Sequence, residues 1–134
     1  MLSPLPQPDT SAPLARESVL VVDDDAGMRA FLVAALEDAG YEVRAAADGA
    51  AALAVLETWR PGAVLLDLWM PRLDGWAFCE QLAARPDLDG LAIVVMSRPE
   101  NLDRPLRGVR PAASLEKPFD LAELLATVWV VTNP

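Results

Sequence analysis

The sequence predicts an α/β domain built on a parallel sheet, and three observations predict it. Short continuous apolar runs recur at 19–22, 63–66 and 91–96. Runs of that length without polar interruption suit strands covered on both faces, the situation in a parallel sheet. Between the runs, apolar residues recur every three to four positions, the period of a helix packed by one face. Strand and helix patterns alternate from Ser18 onward, and such alternation implies right-handed crossovers.

Each element has its own local reason. Residues 1–17 carry Pro4, Pro6, Pro8 and Pro13 among Ser, Thr and Gln. Proline locks φ and lacks an N–H, so this piece is expected to be an extended or disordered tail, with the domain spanning 18–134. The first strand, Val19 to Val22, ends in Asp23, Asp24 and Asp25. Met28, Phe31, Leu32, Ala35, Leu36 and Ala39 then follow at helical spacing, with Asp25 as N-cap and Gly40 just past the end. Tyr41 to Ala45 alternates apolar and charged, as a half-exposed edge strand does. Asp48 caps a second helix with the stripe Ala52, Val55, Leu56 and Trp59, stopped before Pro61. The strand Ala63 to Leu66 ends at Asp67, and a loop holding Pro71 leads to Asp74, the cap of a third helix from Gly75 to about Ala84. Leu91 to Met96 is the fourth strand, closed by Ser97. From Arg98 to Pro111, the breakers Pro99, Pro105, Gly108 and Pro111 predict a shortened or irregular fourth helix. Ala112 to Glu116 is a weak fifth strand. Asp120 and Glu123 have capping-box spacing and open a last helix with the stripe Leu121, Leu124, Leu125 and Val128.

Composition excludes several functions. The chain has 134 residues, enough for one domain that buries about two-thirds of its unfolded surface. It has no histidine, which removes histidine zinc sites, Ser-His-Asp triads and Cys-His dyads together. Cys79 is the only cysteine, so no intrachain disulfide forms; a reducing, cytoplasmic setting suits that. The net charge of −9 argues against nucleic acid and anionic membranes as partners of the domain. No apolar run reaches the roughly 18 residues of a membrane span, and the start lacks the basic and apolar regions of a secretory signal.

In parallel α/β sheets, ligands bind at the carboxyl ends of the strands. The first strand ends in Asp23 and Asp24, the third in Asp67, the fourth in Ser97, and Lys117 follows the fifth. Three carboxylates at one rim repel one another, and a divalent cation relieves that repulsion. An all-oxygen site completed by water suits Mg²⁺. A cation site beside a hydroxyl and an ammonium suits a phosphoryl group. Lys117 is the single lysine among 11 basic residues, which suggests a place that needs a compact point charge rather than a guanidinium fork.

The segments 21–24, 65–75, 95–97 and 117–119 together resemble the receiver domain of two-component response regulators. The resemblance covers about Ser18 to Val131, and its most specific part is D-x-x-M-P-x-x-D-G from Asp67 to Gly75 with Lys117-Pro118-Phe119 downstream. It implies a flavodoxin-like, doubly wound, five-stranded parallel sheet in the order 2-1-3-4-5. It also implies that Asp67 accepts a phosphoryl group from a phosphohistidine on a histidine kinase or histidine phosphotransfer protein. Asp24, Asp67 and the Trp69 carbonyl would then hold Mg²⁺ directly, and Asp23 would act mainly through water. Ser97 would hydrogen-bond the phosphoryl group, and Lys117 would pair with it. Such a domain is a phosphoacceptor that assists its own phosphorylation and dephosphorylation, not an enzyme acting on other substrates. A cis peptide before Pro118 is part of the same resemblance.

The chain departs from the family where the signal is read out. Ser114 replaces an aromatic, Arg98 replaces a small residue, and Arg110-Pro111 replaces a glycine-alanine pair. Arg98 and Ser114 are therefore candidate modulators on an atypical output face. Two other readings compete. One is an interaction module on the same fold that works without phosphate. The other is a small Mg²⁺-dependent aspartyl phosphatase, whose D-x-D-x-[TV] motif Asp23 to Gly27 imitates only in part. Taken singly, Asp23 and Asp24 are an ordinary turn, Asp67 a loop residue, Ser97 a turn former and Lys117 a surface charge. Their joint occurrence at strand ends makes the case. Trp59, Trp76 and Trp129 are expected to pack, and Cys79 to be a small core residue. Arg98, Arg104, Arg107 and Arg110 are expected to form a solvated face.

Overall fold

In the computed structural model, residues 17–70, 74–98, 106 and 109–134 are described. All of the expected tail at 1–17 but Glu17, the Pro71 loop, Arg104 and Arg107, and most of the segment expected to hold an irregular fourth helix lie outside them. The apolar runs form strands β1 (Ser18–Val22), β3 (Ala63–Asp67) and β4 (Ile93–Ser97), and every residue of all three is buried. The alternating run forms β2 (Glu42–Ala46), and the weak run forms β5 (Ala113–Glu116). All pairings are parallel, in the order β2-β1-β3-β4-β5. The alternating strand therefore lies at an edge, as its pattern required.

Among the described residues the helices are α1 (Ala26–Asp38), α2 (Gly49–Leu56), α3 (Gly75–Ala83) and α4 (Leu121–Thr132). Each starts at an aspartate whose carboxylate accepts an orphan backbone N–H: Asp25 from Met28, Asp48 from Ala51, Asp74 from Ala77 and Asp120 from Glu123. Gly40 follows α1 at φ +100°, a conformation that favours glycine. Alternate strand residues face opposite ways, and two cores result. Val19, Val21, Leu65, Val94 and Met96 pack with Leu32 and Leu36 of α1 and Leu124 and Val128 of α4. Leu20, Val22, Val64, Leu66 and Val95 pack with Leu56 of α2 and with Trp76, Phe78 and Leu82 of α3. Helices thus cover both faces of the sheet. No helix among the described residues is long and apolar enough to cross a membrane.

Several expectations need correction. Helix α2 stops at Leu56, so Trp59 is not on its stripe; it still packs, partly buried, against the core, and its ring lies 4.5 Å beneath the Arg44 guanidinium on the edge strand. Trp76 is buried, but Trp129 is 60% exposed and does not pack into the core. Position 129 is one helical step, about 100°, past buried Val128, which turns it out of the stripe. Phe31 and Leu121 also lie mostly outside their helices' buried faces. A 3-10 turn at Pro86–Leu88, between α3 and β4, has no counterpart in the sequence expectation, and the remaining differences are shifts of one or two residues at element ends. Cys79 is fully buried in the core, and that burial pushes its thiol up to about 11.

Candidate functional site

The carboxyl ends of β1, β3, β4 and β5 lie along one rim of the sheet, which brings the predicted residues together. Asp23 and Asp24 directly follow β1, Asp67 and Ser97 are the last residues of β3 and β4, and Lys117 directly follows β5. Carboxylate oxygens of Asp23, Asp24 and Asp67 lie within 4.8 Å of one another. Asp23 is fully buried and Asp67 is 2% exposed, whereas Asp24 is open to solvent. The Lys117 ammonium donates to Asp23 Oδ2 at 3.1 Å and stands 3.7 Å from Asp67 Oδ1. One cation thus faces two buried carboxylates.

Local hydrogen bonds hold this arrangement. Asp23 Oδ1 accepts from the Asp25 N–H at 2.9 Å, which ties the turn after β1. Asp67 Oδ1 accepts from the Trp69 N–H at 3.1 Å. Backbone bonds from Leu68 N to Met96 O and from Lys117 N to Ser97 O lock the ends of β3, β4 and β5 in register. Ser97 is buried at that junction; Arg98 beside it is exposed, and Ser114 is exposed on β5. The Trp69 ring is half exposed and meets Trp76 edge-on at 5.7 Å. The peptide before Pro118 is cis.

Gly75 has a packing reason. A Cβ there would lie 2.6 Å from Leu68 Cα and 2.9 Å from the Asp67 carbonyl oxygen. The first turn of α3 therefore rests directly on the backbone that carries Asp67. We expect Gly75→Ala to destabilise the fold by about 1–3 kcal/mol, the usual range for overpacking. A denaturant midpoint equal to wild type would show that the close approach is not required.

Burial pushes the Asp67 carboxyl up to about 6, with Asp23 and Asp24 adding repulsion and the Trp69 N–H and Lys117 partly offsetting it. Asp67 Oδ2 is buried and makes no hydrogen bond. An anionic oxygen left that way is costly, and a site built around one has room for a further positive or electrophilic partner. A divalent cation matches the donor set: three carboxylates, one of them solvated, with oxygens only. Arg29 is a contributor that the sequence reading missed. Its Nη1 donates to the Asp23 carbonyl at 2.8 Å and braces the acidic turn from α1. Its place one turn after the Asp25 cap was the available signal.

The comparisons with known proteins agree with the fold. The family model described as the response regulator receiver domain matches residues 19–129. The chain belongs to that family. Receiver domains are signalling domains, generally non-enzymatic, that interact with histidine kinases or phosphotransfer proteins. This receiver domain is 44% identical over 110 residues to the response regulator MprA of Mycobacterium sp. strain KMS, a match covering 81% of this chain and 47% of that protein. The chain spans about half the length of the curated relatives it matches. Among solved structures, the CheY-like receiver domain protein of Methanospirillum hungatei aligns with a TM-score of 0.78 at 30% identity, over 89% of this chain and 99% of that one. The chemotaxis protein CheY4 of Vibrio cholerae aligns with a TM-score of 0.76 at 32% identity, over 85% and 97%.

Proposed function

We propose that this receiver domain accepts a phosphoryl group on Asp67 from a histidine kinase or histidine phosphotransfer protein in the cytoplasm. The observation that carries the reading is Asp67 itself: a buried carboxylate with one oxygen held by the Trp69 N–H and the other without a hydrogen bond, facing two more carboxylates and an ammonium. In the transfer, an Asp67 oxygen forms a bond to phosphorus as the phosphorus–nitrogen bond of the donor phosphohistidine breaks. The imidazole leaves with the electron pair and takes a proton from solvent. Asp24, Asp67 and the Trp69 carbonyl would hold Mg²⁺ directly, and Asp23 would act mainly through water. Mg²⁺ would supply charge neutralisation at the phosphoryl oxygens.

Lys117 supplies the same kind of neutralisation from the protein side, and its contact with Asp23 keeps it in place until a phosphoryl group arrives. Ser97 donates a hydrogen bond to that group. Readout is proposed to be atypical. Ser114 has no ring to swing inward, so Arg98, the exposed residue directly after β4, is the side chain proposed to couple the site to the segment that follows.

The test is incubation with acetyl phosphate and Mg²⁺ followed by intact mass. Wild type is expected to gain one phosphoryl group and Asp67→Ala none. Equal labelling of the two proteins would overturn the assignment. No gain in either would favour the interaction module that works without phosphate.

A further inference from the structure

The outer side of β2 is an open sheet edge: among the described residues this strand pairs only with β1. On the inner side the Ala46 carbonyl accepts from the Asp23 N–H. In a parallel ladder the N–H and C=O of one residue point to the same neighbouring strand, and those of the next residue point away from it. Glu42 and Arg44, in phase with Ala46, therefore turn their backbone groups toward β1, and Val43 and Ala45 turn theirs outward. No hydrogen bond among the described residues takes up these outward groups. The edge is also reachable, since Arg44 and Ala45 are exposed and Glu42 and Val43 are half-buried. The Glu42 and Arg44 side chains lie on one face of the sheet, two residues apart, and neither forms a salt bridge among the described residues. The Arg44 guanidinium rests over the Trp59 ring at 4.5 Å. Stacking engages a face of that planar group and leaves its N–H edge for a carboxylate.

We propose that β2 pairs antiparallel with β2 of a second copy of this chain, about a twofold axis at Val43, and joins the two sheets into one. An open edge is a template for a further strand, and this one is complementary to itself. With the axis at Val43, the outward N–H and C=O of Val43 exchange hydrogen bonds with those of Val43 in the second copy. Glu42 then stands directly opposite Arg44 of the second copy, and Arg44 opposite its Glu42. Both are pairs without backbone hydrogen bonds, where side chains come closest. Opposite charges at such positions favour the pairing and like charges oppose it. The same two residues reject a neighbouring register, because sliding the second copy by two residues sets Arg44 against Arg44. Each copy carries a net charge of −9, so association elsewhere on the surface meets repulsion that this edge replaces by two attractive pairs. The contact is a single pair of short strands, which makes the dimer a weak one.

Sedimentation equilibrium of the full chain, up to about 1 mM, tests the proposal with two charge reversals. Wild type is expected to dimerise as concentration rises. Glu42→Arg and Arg44→Glu should each weaken the dimer at least about tenfold, because each sets like charges opposite one another. The first lowers the net negative charge and the second raises it, so a loss in both cannot come from overall repulsion. An equimolar mixture of the two variants should dimerise again as a heterodimer, since every charge then meets its opposite, and that recovery shows that both variants are folded. Wild type that stays monomeric throughout would overturn the proposal, as would dimers that persist in each single variant. A mixture that stays monomeric would do the same.

Discussion

In metal-free buffer at pH 8, Asp67→Asn should be more stable than wild type by about 2–3 kcal/mol. The wild-type cost comes from burying a charge with one oxygen unpaired. Its carboxyl titrates near 6 in the folded protein and near 3.9 in an unfolded chain. The folded state therefore holds the proton more tightly, and ionisation works against folding. Below about pH 4 both states are protonated and no cost arises. As pH rises from about 4 to about 6 the unfolded state ionises first, so wild-type stability falls, and above that it levels off. About two units at 1.36 kcal/mol each give the magnitude. Asparagine has the same shape, still accepts the Trp69 N–H, and does not titrate. The two proteins should converge near pH 4 and separate by roughly 10 °C in Tm at pH 8, for a domain of this size. Adding Mg²⁺ should narrow the gap by stabilising wild type. Melts that coincide at pH 8 would show that Asp67 bears no such load.

Much of this was legible because it was overdetermined locally. The runs at Val19 and Ala63 are apolar without break because both faces of those strands are covered by helices, and the aspartate after each apolar run is where that cover ends. All four caps were readable because an aspartate before an apolar-periodic run satisfies a donor that nothing else reaches. The weakness of β5 was also physical. Among the described residues it pairs only with β4, and Leu115 is its one buried residue, so its sequence has little to reveal.

What failed was the extension of periodicity past the packing that causes it. Trp59 continues the α2 stripe by count, but Pro61 restricts the residue before it and the helix ends at Leu56. Trp129 follows Val128 in sequence yet points away from the core. Contacts between distant residues left no local trace either. Nothing near Lys117 announces that its ammonium reaches Asp23, 94 positions away. The rarity of lysine marked the residue, but only the fold supplied the partner.

That partner defines the second large expected effect. Lys117→Met keeps the length and apolar stem of the side chain and removes its charge, which is 3.1 Å from Asp23 and 3.7 Å from Asp67. Two buried carboxylates then face each other without their cation. Breaking a buried pair in this way costs about 3–5 kcal/mol, because the remaining charge is uncompensated. The chain can escape part of that cost by taking up a proton, and Asp67 is the group already closest to doing so. Lys117 holds the Asp67 carboxyl down, so its loss raises that value further and extends the pH range over which stability falls. The deficit should therefore be largest at pH 8 and shrink on acidification. Mg²⁺ separates an electrostatic role from a packing role. A divalent ion restores positive charge where the ammonium was lost, so it should bind the variant more tightly than wild type. Each tenfold gain in affinity adds about 1.4 kcal/mol of stabilisation at saturating Mg²⁺. Differential scanning calorimetry with and without Mg²⁺ should show a larger rise in Tm for Lys117→Met than for wild type. An equal rise, with a deficit independent of pH, would mean that Lys117 matters through its stem and not through its charge.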